Sequence, residues 1–188
     1  VVQSYNGLAV LVDGKTGKSL WEVSERGYES IAAPTLGYFS GNDKVPDVFL
    51  QWDKGVYPEF TSCKSLIIDG STGDVVWSHD SGKRSSSGAN AIDLTGDGVD
   101  ELLFAVNGDS GAEVSVFDIK NKEVLGYMKT ARFAIAVPWV GDMDGDGYLD
   151  GEETYIFGTV PTRTNEPGTP LTHLTSLQFV ATDQPLFD

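Results

Sequence analysis

Apolar residues along this chain come in short runs of four to seven, set off by polar and glycine-bearing breaks. ELLFAV from Glu101, EVSVFD from Glu113, EVLGYM from Glu123 and AIAVPWV from Ala134 are rich in Val, Leu, Ile and Phe. Gly, Asp, Ser, Asn and Lys separate them, which is how strands joined by tight turns are written. No window sustains an apolar spacing of three and four over ten residues, so almost no helix is expected. Four such strands make one unit, and four strands per unit is the content of a propeller blade.

The units repeat. VDGKTGKSLWEV from Val12 returns as IDGSTGDVVWSH from Ile68, and more loosely as FDIKNKEVLGYM from Phe117. A second motif, DLTGDGVDE from Asp93, returns as DMDGDGYLD from Asp142, an offset of 49 that also separates Asp69 from Asp118. Two unrelated motifs in one phase imply a structural repeat of about fifty residues. The expected fold is all-β: one partial β-propeller region of about three to four four-stranded blades over 1–188, with repeats near 1–46, 47–100, 101–149 and 150–188. A Pro/Thr-rich insertion at 161–175 follows the strand TYIFGTV, and the chain then stops inside a blade. Open blades of this kind are completed either within a longer polypeptide or by partner chains.

The second motif carries the chemistry. Asp142, Asp144 and Asp146 take the first, third and fifth places of a hard-cation loop, Gly147 the sixth, Tyr148 the seventh through its carbonyl and Asp150 the ninth. Carboxylates packed so closely repel unless a divalent ion neutralises them. Glu153 falls at the twelfth place, as in a helical calcium hand, but the flanks AIAVPWVG and TYIFGTV are strand-like, so a clip between strands is the better reading. Asp93, Thr95, Asp97, Gly98 and Glu101 hold places one, three, five, six and nine of the other copy. Near Gly37, where the phase calls for a third loop, GYFSGNDKVPDVFL has no carboxylate at the first or third place. Asn42, Asp43 and Asp47 remain, in what is expected to be a metal-free turn.

Composition narrows the partners. Asp and Glu number 28 against 13 Lys and Arg, a formal charge of -15, which disfavours nucleic acid and anionic membrane and favours divalent cations. Cys63 is the single cysteine, so no disulfide forms within the chain. No apolar run approaches the roughly 18 residues of a membrane span; no secretory leader opens the given sequence, and its start at Val1 without a methionine is what is expected where a leader has been removed or is not included.

DLTGDGVDELLF and DMDGDGYLD resemble the calcium loops of FG-GAP (VCBS-like) repeats in integrin alpha chain propellers. The resemblance runs from about Ala9 to Tyr155. It implies a calcium-stabilised propeller with two Ca2+ sites, one from Asp93, Thr95, Asp97, the Val99 carbonyl and Glu101, the other from Asp142, Asp144, Asp146, the Tyr148 carbonyl and Asp150. Thr95 in place of an acidic or amide ligand, and Glu101 in place of aspartate, depart from the family pattern and would weaken the first site. The DGKTGKSLWE turns also resemble the tryptophan-docking repeats of quinoprotein dehydrogenases, in which the Trp21-like and Trp77-like positions lock neighbouring blades. No quinone is implied, because Cys63 has no vicinal partner.

Other catalytic look-alikes lack their companions. NGDSGA around Ser110 imitates a trypsin-like nucleophile segment, yet no Ala-Ala-His-Cys precedes it; DGKTGKS lacks the first glycine of a phosphate loop and joins strands. SHDSGKRSSSG, with Lys83 and Arg84, is expected to be a solvated tip. The favoured expectation is a non-catalytic extracellular or cell-surface module for adhesion, scaffolding or binding of a protein or carbohydrate ligand. The alternative is a calcium-dependent polysaccharide-active enzyme of lyase type. A basic, aromatic-lined groove is the feature that would favour the enzyme.

Overall fold

The computed structural model describes residues 1–40, 44–134 and 137. Among them there is no helix, and twelve strands form three antiparallel sheets. The first sheet orders β1 (Val2–Ser4), β2 (Leu8–Val12) and β3 (Ser19–Ser24) in sequence. The second runs from β4 (Tyr28–Glu29) and β5 (Thr35–Gly37), which pair with opposite ends of β6 (Asp47–Val56), on to β7 (Glu59–Ile68) and β8 (Val75–Ser81). The third contains β9 (Arg84–Ile92), β10 (Glu101–Asn107), β11 (Ala112–Asp118) and β12 (Glu123–Thr130).

The all-β expectation therefore holds, and one sheet has four strands, but the described residues form no closed barrel or propeller. SHDSGKRSSSG is a solvated tip only at Gly82 and Lys83. Its turn is confined to Gly82 and Lys83, and β9 begins at Arg84, with Ser85 and Gly88 buried.

Strand alternation sends successive β6 side chains to opposite faces. Val48, Leu50 and Trp52 join Ala9, Trp21, Tyr28, Leu66 and Ile68 in a cluster against the first sheet. Phe49 turns the other way, to Phe39, Cys63, Ile67, Ala89, Leu102, Phe104, Val106 and Ile119. The second sheet is thus the middle layer, and each large apolar side chain it buries contributes about 1.5–3 kcal/mol. Two polar side chains on the second face reach across the layer. Gln51 donates to the Ala105 carbonyl at 3.1 Å, and the Asp53 carboxylate accepts from the Ser85 hydroxyl at 2.7 Å.

Candidate functional site

Two features stand at the junction of the second and third sheets: the loop entering β10 and a groove between β8 and β11. In the loop, Asp93 accepts from the N–H groups of Asp97 at 3.0 Å and Gly98 at 2.9 Å, and Asp97 accepts from Val99 at 2.9 Å. Gly98 sits at φ 84, the left-handed conformation that the sixth place of such a loop requires. Lys120, from the turn after β11, reaches Asp97 at 2.6 Å. Buried Glu101 accepts from Leu94 N–H at 2.7 Å, from Thr95 N–H at 3.1 Å and from the Thr95 hydroxyl at 3.3 Å.

Burial pushes the Glu101 carboxyl up to about 7, aided by the nearby negative charges of Asp118 and Asp93 and opposed by the two N–H bonds. The donor set is all oxygen, and an ionised carboxylate that accepts one N–H on an oxygen keeps further lone pairs for a cation. By donor chemistry the loop fits a hard cation. Its side chains as placed do not converge: among the described residues no three His, Cys, Asp or Glu side chains are gathered to hold a metal.

The strand registers explain the position of Glu101. Leu102 pairs with Phe117 as Val48 pairs with Ile68, so Glu101 stands where Asp47 stands in the second sheet. Asp47 accepts from Ser40 N–H at 2.7 Å, just as Glu101 accepts from Leu94. Phe39, with 1% of its surface exposed, then occupies the place of Asp93 and fills the core. The ninth-place carboxylate therefore ties down its loop even where the first place carries no ligand. Asp142, Asp144, Asp146, Tyr148 and Asp150 lie outside the described residues, as do Asn42 and Asp43.

The groove follows from the tryptophan turns. Asp13 and Asp69 each accept from N–H groups two and three residues on, which closes the turns tightly. Trp21 at the edge of the first sheet donates its indole N–H to the Gly70 carbonyl of the next sheet's turn at 2.9 Å. Its counterpart Trp77 forms no such bond among the described residues; its ring lies 4.9 Å from Phe117 and 6.2 Å from His79, the latter stacked. A groove of about 650 Å³ opens there, lined by Trp77, His79, Phe117, Glu113, Lys122 and Lys129 among others. Ligand pockets commonly span roughly 300–1,000 Å³. Sequence reading found Trp77 as a docking residue but not the lysines: Lys122 lies on the third and loosest copy of the turn, and Lys129 lies just past it, near the end of β12.

No protein-family model matches the chain, and no curated protein matches it. Among solved structures it is similar to three chains whose titles name rhamnogalacturonan lyases. The exotype enzyme YesX is 16% identical, with a TM-score of 0.42, over 74% of this chain and 26% of that one. The Bacillus licheniformis enzyme PL11 is 13% identical, with a TM-score of 0.42, over 71% of this chain and 32% of that one. YesW is 16% identical, with a TM-score of 0.43, over 74% of this chain and 27% of that one. The chain spans about a quarter to a third of their lengths. All three titles name enzymes, so the expectation that the chain is not an enzyme is corrected: these neighbours overturn it. At TM-scores below 0.5 they assign it no activity.

Proposed function

We propose that the chain forms blades of a calcium-stabilised propeller of the FG-GAP plan, belonging to an extracellular, polysaccharide-active enzyme of lyase type. The observation that carries this reading is the groove between β8 and β11, where the half-buried Trp77 and exposed His79 stack beside Lys122 and Lys129. An indole face suits the apolar C–H face of a sugar ring, and ammonium groups suit a sugar carboxylate. Elimination at such a uronate passes the C–H proton next to the carboxylate to a base, breaks the glycosidic C–O bond one carbon further on and leaves a carbon–carbon double bond; a neutralised carboxylate eases the proton's loss, and the lysine ammonium groups would supply that charge. Calcium rests on the in-phase loops and on the all-oxygen donor set of the Asp93 loop. The intact protein, incubated with acidic polysaccharides in millimolar calcium, is expected to release unsaturated product, followed by its ultraviolet absorbance. Acidic polysaccharides left uncut by calcium-loaded, folded protein would sink the reading.

A further inference from the structure

The three turns differ at one place that decides how neighbouring sheets meet. Gly73 of the second turn stands at φ 82, and a Cβ added there would lie 2.7 Å from both Cβ and Cγ of Trp21. Trp21 can seat itself on that turn because the position has no side chain. Gly17 of the first turn has the same left-handed backbone, at φ 69. In the third turn the position is Lys122, at φ 58, the only non-glycine residue with positive φ among the described residues. By the geometry at Gly73, a Cβ at this place would meet an indole seated as Trp21 is, which accounts for the open groove that Trp77 and Lys122 line. Ile119 replaces Gly70 in the same turn.

A lysine in this conformation is strained where glycine is not, and such outliers persist where they serve the structure or its ligands. We infer that Lys122 is a specificity-determining residue: it keeps the groove open and holds the carboxylate of a uronate-bearing saccharide stacked on Trp77. The inference rests on the polysaccharide reading and adds to it a ligand class and a place.

Charge points to the ligand. The chain carries -15, yet two lysines line this one groove. Lys129 stands 3.5 Å from Glu113, whereas Lys122 is exposed and forms no ion pair among the described residues. A free ammonium beside an accessible indole is complementary to an anionic ring and adds little for a neutral one.

The test is calorimetric titration of the chain, in millimolar calcium, with a galacturonate tetrasaccharide and with a neutral glucose tetrasaccharide, checking each variant's fold by circular dichroism and melting. The unsubstituted chain is expected to favour the uronate by about tenfold or more. Lys122→Glu should abolish that preference and leave the neutral sugar within about twofold. Lys122→Gly should weaken both sugars and raise the melting temperature, because Trp77 can then dock on the turn as Trp21 does. Uronate binding that ignores Lys122→Glu, Lys122→Gly and Trp77→Ala would overturn the inference and leave the polysaccharide reading standing. Failure of the folded, calcium-loaded chain to bind any saccharide would overturn both.

Discussion

Trp21 shows how much one side chain can do at a sheet junction. It is buried among Leu66 and Ile68 of the second sheet while its N–H holds the Gly70 carbonyl, so a single residue supplies both apolar contact and direction. The cost of disturbing it is set by Gly73. Gly73→Ala forces a methyl group against the indole and places alanine at positive φ, and the two effects together are expected to lower unfolding free energy by about 3 kcal/mol. Urea unfolding measures this directly, and a loss under about 0.5 kcal/mol would mean that the turn moves aside freely. The role of Trp21 was legible in the sequence, because the spacing of Asp, Thr-Gly and Trp repeats at Asp69, Thr72 and Trp77. The divergence at Trp77 was not. It depends on a backbone conformation at Lys122 that a weak third copy of the motif does not declare.

Strands were legible wherever apolar residues dominated, as in β10 and β11. They were hidden where packing demands small side chains. β9, reading RSSSGANAI, passes through the interior with Ser85 beneath Asp53 and Gly88 close to the Ala33 carbonyl, and a polar, Gly-bearing run reads as loop when its neighbours are unknown. β4 and β5 are two and three residues long, below what periodicity can register. The loop entering β10 was legible as a motif, but the exchange of Asp93 for Phe39 in the preceding sheet became clear only from register.

That loop carries a pH prediction. Glu101 moves from an ordinary 4.5 to about 7 in the calcium-free fold because burial penalises its charge. The folded state then holds the proton more tightly than the unfolded one. Stability should be full below the lower value, fall as pH rises toward 7, and level off above it. Calcium, by neutralising the loop, should flatten the decline, and Glu101→Gln should remove it without calcium. Melting curves between about pH 4 and 8, with calcium or chelator, check the sign; a calcium-free chain that gains stability across this window would contradict it.

Across the whole molecule, charge and groove act against each other. A surplus of carboxylates repels an acidic polymer at long range, while the lysines of one groove attract it at contact. Salt separates the two, since at about 0.15 M the screening length is about 8 Å and distant charges fade before close ones. The association rate with a polyuronate should therefore rise between about 0.01 M and 0.15 M salt, against the usual fall for oppositely charged partners. Stopped-flow tryptophan fluorescence reads that rate, and a steady decline with salt would show that attraction governs the approach.

The middle layer has a further consequence for how such a sequence can change through time. From Asp47 to Asp53 every residue of β6 is buried, since one side of the strand meets the first sheet and the other meets the third. A substitution there must satisfy two interfaces at once, whereas Val76 and Tyr127, exposed on the outer strands β8 and β12, answer to solvent on that side. Drift should therefore be slow at the centre and fast at the rim, and a library of single substitutions sorted for folding would map as a gradient falling outward from this strand.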